Sequence, residues 1–189
     1  MKRRPLFAAL LVSGCAAEGF ATPDPARLPR DSVEGAGDPT RAAVSRAAHV
    51  FANPALLSGN AADAARAIAD MEYLAASLPS DPRFQQRDPL LPVRLSQART
   101  EWRQALGIAP TQPAQPLIDA LYAVWRALRA RDTAAAAAAM PPGLIPPGGS
   151  ASLARLAALP PLPRTAEAAN SASRIQFEGN TPSFGNRRL

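Results

Sequence analysis

The side chains that carry most enzyme chemistry are nearly missing from this chain of 189 residues. It holds one cysteine, Cys15, and one histidine, His49. A zinc site needs three or four nitrogen, sulfur or oxygen ligands, so here it would rest on carboxylates, which suit zinc poorly. A Ser-His-acid triad has only His49 to draw on, and no Gly-x-Ser-x-Gly elbow accompanies it. His49 reads instead as a partly exposed helix residue beside Val50 and Phe51. "PPGLIPPGGS" bears glycines but lacks the Lys-Ser/Thr ending and preceding strand of a phosphate loop. No metal, cofactor or catalytic residue is expected on these grounds. One thiol also permits no internal disulfide, so cysteine usage does not argue for or against export.

Lysine is scarce too: 21 cations comprise twenty arginines and Lys2, against 15 acids. Three of these cations, Lys2, Arg3 and Arg4, crowd the N-terminus, and without them the surplus over the acids falls from six to three. A surplus that dilute does not make a nucleic-acid surface, which needs cations clustered on one face, so no nucleic-acid partner is expected. No apolar run approaches the ~20 residues that a membrane-spanning helix requires. No stretch alternates apolar and polar residues over the length of a strand.

What is abundant is alanine and proline. Apolar residues make up 47% of the chain, largely as alanine, which favours helix but buries little area. The 21 prolines fall mainly between periodic segments, where they punctuate rather than break helices. A first helix starts at Asp38-Pro39, cap and first turn, with Val44, Ala47, Ala48 and Phe51 on one face. A second follows Asn60 with Asp63 in its first turn, its face formed by Ala64, Ile68, Met71, Leu74 and Leu78. A third spans about residues 91 to 106 through Leu91, Leu95, Ala98, Trp102 and Leu106, and Gly107 stops it. The fourth, about 115 to 131, has the strongest pattern, with Leu117, Ile118, Leu121, Tyr122, Trp125 and Leu128. Asp132 can cap the alanine run that follows, and Ser150 can cap one more short helix. These segments predict an all-α fold: a small antiparallel bundle of four to five helices over residues 38–160. Residues 161–189 read as a polar, flexible tail, and residues 15–37 as a flexible tether. A faint likeness to a tetratricopeptide unit over residues 115–140 does not recur at 34-residue spacing.

Carboxylates are the remaining catalytic option. Asp70 and Glu72 lie two apart, so on a helix they point in different directions. Glu101 and Asp119 fall on separate helices and could meet only through the fold. Trp102 and Trp125 sit on apolar stripes and read as core rather than as ligand platforms. Arg99 and Arg103, one turn apart, read as a solvated face, with an acidic partner as the functional alternative. The C-terminal "EGNTPSFGNRRL", with Phe184, Arg187 and Arg188, reads as disordered unless a partner docks it.

The N-terminus has the three-part layout of an export signal: "MKRR", then the apolar Leu6 to Val12, then the small residues of "SGCAA". Val12-Ser13-Gly14-Cys15 resembles the lipobox of bacterial lipoproteins, with valine where leucine is commonest in that class. The resemblance covers residues 1 to 15. It implies removal of residues 1–14 as a signal peptide, a diacylglycerol thioether on Cys15, and acylation of the freed amino group, for example by palmitate. Ala16 stands where that class places Asp to retain a protein at the inner membrane, which points to the outer membrane, facing the periplasm. A competing cut before Glu18 uses Cys15 and Ala17 as the small residues and discards the thiol with the signal. The leading expectation is therefore a lipid-anchored, non-catalytic binding or scaffolding module of the cell envelope. Its partners would be membrane lipid, through the covalent anchor, and an envelope protein or cell-wall component. The alternatives are an envelope enzyme or accessory using carboxylates, and a secreted, unanchored helical protein.

Overall fold

The computed structural model describes residues 26–33, 35 and 37–178. Over these residues the fold is all-α: eight α-helices and no strand. They are α1 (Pro39–Ala52), α2 (Ala61–Ser77), α3 (Pro82–Gln85), α4 (Leu91–Leu106), α5 (Ala114–Arg129), α6 (Thr133–Ala138), α7 (Gly149–Ala157) and α8 (Pro163–Glu178).

Local chemistry sets most of the boundaries. The Asp38 carboxylate accepts from the amides of Thr40 and Arg41, and Pro39 supplies a first residue that needs no amide partner. Asn60 accepts from the Asp63 amide at 3.0 Å, and Asp132 from the Ala135 amide at 2.8 Å. Gly107 ends α4 in the left-handed region at φ 72°, and a Cβ built there would stand 2.6 Å from the Arg155 guanidinium. The start of α7 differs from expectation. Gly148, not Ser150, occupies the position before α7, and the buried Ser152 hydroxyl accepts from the Gly148 amide at 2.9 Å.

The helices pack around α2, which touches α1, α4, α5 and α7. Its residues 67 to 72 are all buried, and six consecutive residues cover more than one full turn. Alanines at 64, 65, 67 and 69 let the neighbouring helices approach from several sides. Against this axis lie Leu95, Ala98, Trp102 and Leu106 of α4, and Leu117, Ile118, Leu121 and Tyr122 of α5, all buried. Each such large side chain contributes about 1.5–3 kcal/mol of burial relative to exposure.

Two expectations about the flanks are overturned. Residues from 163 onward do not begin a tail: α8 runs to Glu178 and packs on α1 and α4. Its buried stripe is Thr165, Ala168, Ala169, Ala172 and Ile175, at helical spacing, with Ser171 beside it. The side chains are so small or polar that the stripe carries little hydropathy, which hides it. α3 and α8 were not expected, and with them the eight helices of the described residues exceed the expected four to five. Part of the expected tether is also built into the fold. Residues 26–33 form a strap on the helical body, with a turn of 3-10 helix at Arg30–Ser32 and the Ser32 side chain fully buried. The rest of the tail, 179–189, and the rest of the tether lie outside the described residues, apart from 35 and 37.

Candidate functional site

The two carboxylates two residues apart on α2 do point in different directions, and each ends in its own ion cluster. Asp70 is inaccessible to solvent and faces α1 and α5. Arg46 donates to its two oxygens at 2.8 and 3.0 Å, and the Tyr122 hydroxyl donates to Oδ1 at 2.7 Å. Burial pushes the Asp70 carboxyl above the ordinary aspartate range, against the pull of Arg46 and Tyr122. Burial also works against the Arg46 charge, but Asp70 outweighs it and the guanidinium is held more firmly than usual. Tyr122 is raised well above an ordinary phenol, first by its own burial and then by the Asp70 charge.

Glu72, equally inaccessible, faces α4. It accepts from Arg103 Nε and Nη2 at 2.7 and 2.8 Å, from Arg99 Nε at 3.0 Å and from Trp102 Nε1 at 2.7 Å. Arg103 is itself only 3% exposed, and its remaining nitrogen donates to the carbonyls of Ala109 and Pro110. Thus the arginine pair expected on a solvated face binds a carboxylate inside the protein. The spacing of four that brings both guanidiniums to one point was visible in the sequence; their internal partner, about thirty residues away, was not.

The other acids are spent elsewhere. Glu101 accepts from the amides of Arg164 and Thr165 at 3.2 and 2.8 Å and from the Thr165 hydroxyl at 2.7 Å, holding the start of α8. Asp119 is exposed and accepts from Gln115 one turn away. The fold therefore does not bring Asp70, Glu101 and Asp119 together. Trp102 is fully buried, as its stripe predicts. Trp125 is half-buried, with the Arg66 guanidinium 4.4 Å from its ring centroid and Tyr122 edge-on at 5.9 Å. His49 stands exposed at the end of α1. Among the described residues no three His, Cys, Asp or Glu side chains cluster as metal ligands would, and no helix is long and apolar enough to cross a membrane. Cys15 lies outside the described residues.

A cleft of about 280 Å³ lies where the start of α1, α3 and the end of α8 meet. Arg41, Arg83 and Arg87 line it with one acid, Asp38, around an apolar floor of Phe84 and Ile175. Arg83 is partly neutralised by Asp81, which accepts from it at 2.7 Å. Arg87 gives one N–H to the Ile175 carbonyl at 3.1 Å. The cleft depends on α8, which the sequence pattern concealed, so no sequence signal assembled it. A second recess of about 230 Å³ lies beside Arg99 and Arg103, whose Nε groups are engaged by Glu72. No known family model matches the chain, and no curated protein and no solved structure matches it either.

Proposed function

We propose that this protein is a lipid-anchored envelope lipoprotein that binds a partner and does not catalyse a reaction. The observation that carries the anchor is the coincidence of type and place at Val12-Ser13-Gly14-Cys15, where the only cysteine follows a basic and then an apolar segment. Two or three acyl chains, at ~0.8 kcal/mol per buried methylene, hold a protein at a membrane almost permanently. Binding is favoured over catalysis because the buried acids Asp70 and Glu72 are saturated by structural donors and sealed from solvent. An acid of that kind has no route to a substrate atom.

The surface we assign to the partner is the cleft of Arg41, Arg83 and Arg87. Its cations outnumber its single lining acid, and its floor is apolar, so it suits an acidic group carried on an apolar body. An acidic envelope protein or cell-wall component has that chemistry.

Metabolic labelling with a fatty acid tests the anchor. Wild type should take label and fractionate with membranes, and Cys15→Ser should do neither. Unlabelled, soluble wild type that begins at Glu18 would establish the secreted alternative. For the cleft, the double variant Arg83→Ala/Arg87→Ala should lose partner capture from native membranes while keeping the label.

A further inference from the structure

The strap of residues 26–33 holds to the helical body in an unusual way. Its main chain and one carboxylate are gripped almost entirely by side chains of the long helices. Gln115 of α5 accepts from the Arg27 amide at 2.7 Å and donates to the Arg27 carbonyl at 3.2 Å. Arg126 of α5 donates to both oxygens of Asp31 at 2.6 Å. The Ser32 carbonyl accepts from Arg46 of α1 at 2.9 Å and from Arg66 of α2 at 3.0 Å. Three guanidiniums from three helices thus converge on two consecutive residues, with Trp125 stacked beneath Arg66. This is how a site for a peptide turn that presents a carboxylate is built: a two-pronged arginine for the carboxylate, and fixed donors for the next carbonyl.

Two further observations separate a bound ligand from an integral part of the fold. The strap adds little apolar cover, since only the half-buried Ala26 and Leu28 pack on the core. Segments held by so little apolar area open at a small fraction of the global unfolding free energy. The fit is also incomplete. The Ser32 hydroxyl and Arg66 Nε are both buried, and neither has a hydrogen-bond partner. Buried, unpaired polar atoms cost free energy, so the site is not saturated by its own chain.

We propose that Arg46, Arg66 and Arg126, with Trp125, form a receptor site for an acidic peptide segment of a partner protein, in which the Asp31–Ser32 turn is the resident, exchangeable occupant. The partner's segment presents a carboxylate at the place of Asp31, followed by a backbone carbonyl at the place of Ser32. Binding in trans displaces the strap from the helices. The site shares no residue with the Arg41–Arg83–Arg87 cleft and does not depend on lipidation of Cys15.

The test uses the full chain and a fluorescein-labelled peptide of residues 26–37, ARLPRDSVEGAG. Asp31→Arg sets a cation against Arg126 and releases the strap while leaving the three arginines in place. The variant should bind the peptide at least about tenfold more tightly than wild type, which is ~1.4 kcal/mol, and adding Arg126→Ala should abolish that gain. Equal affinities at unchanged helical circular dichroism, or a gain that Arg126→Ala leaves intact, overturn the proposal. Should Asp31→Arg lose helix content, wild type decides. Trypsin should cut slowly after Arg30 while the turn is docked, and excess peptide carrying Arg27→Gln and Arg30→Gln, which trypsin does not cut, should speed that cut at least about fivefold by mass action. The same peptide with Asp31 replaced by alanine should not. No acceleration overturns the proposal. Acceleration by phosphatidylglycerol vesicles and not by peptide also overturns it, assigning the arginines to a lipid headgroup instead.

Discussion

Asp70 and Glu72 show what single residues decide in this protein. Both sit on the most enclosed stretch of α2, and each is surrounded by donors from other helices. Removing one partner of a buried pair leaves the other charge uncompensated, at a cost of about 3–5 kcal/mol. Asp70→Ala should therefore lower the melting temperature by roughly 10 °C, read by circular dichroism, given ~2–4 °C per kcal/mol at this size. Trp102→Phe tests the second cluster more gently. It keeps most of the ring's bulk but removes the Nε1 donor to Glu72, for a loss of about 1.5–3 kcal/mol in urea unfolding. An unchanged midpoint would mean that Arg99 and Arg103 alone satisfy Glu72. The opposed directions of the two acids were legible in their spacing of two. Their burial was not, because the compensating arginines lie 24 to 31 positions away.

At the scale of elements, the helices that were legible are those with a strong apolar stripe, whether or not a side chain caps them. α2, α4 and α5 fall within a residue or two of where their apolar period places them, although only α2 has a side-chain N-cap. α8 was missed because its stripe is made of alanine, serine and threonine, and its N-terminus borrows a cap from another helix. Glu101 of α4 fills that role for Arg164 and Thr165. Glu101→Ala should destabilise the protein by about 0.5–2 kcal/mol, the usual worth of a cap, and speed tryptic cleavage at Arg164. The strap makes a pH prediction. The Arg126 hydrogen bond holds the Asp31 carboxyl below the ordinary aspartate range, more than burial raises it. A carboxyl whose folded value is depressed contributes its stabilisation above its unfolded value and loses it as pH falls through the folded one. Protection of the Ser32 amide, which donates to the Pro29 carbonyl, should thus stay constant from neutral pH down to the ordinary aspartate range and fall only below it. Amide exchange corrected for intrinsic rates reads this directly. A loss near pH 6 would contradict the Asp31–Arg126 latch.

In the molecule as a whole, stability depends on which element covers which. α8 is the last described helix, yet it closes over α1 and α4 and completes the wall of the arginine cleft. A chain ending at Leu162 should lose its cooperative thermal transition, because the faces of α1 and α4 that α8 covers would meet water. A cooperative melt within a few degrees of the full chain would show that α8 is an accessory. The strap works the other way. It is polar at its contacts and adds little area, so Arg126→Ala should move the melting temperature by only ~2–4 °C, about 1 kcal/mol for a partly exposed pair.

The sequence by itself determined the all-α class, most helix boundaries and the principal apolar faces. Capping, proline placement and the 3.6-residue period act within about one turn, so their signals are complete in a short window. Only the tertiary structure decided that Asp70, Glu72 and Arg103 are interior, that residues 26–33 are bound rather than free, and that residues 163–178 are wall rather than tail. Those outcomes rest on pairings such as Asp31 with Arg126, 95 positions apart. Charge compensation and exclusion of water depend on what arrives from elsewhere in the chain, and no local pattern carries that information.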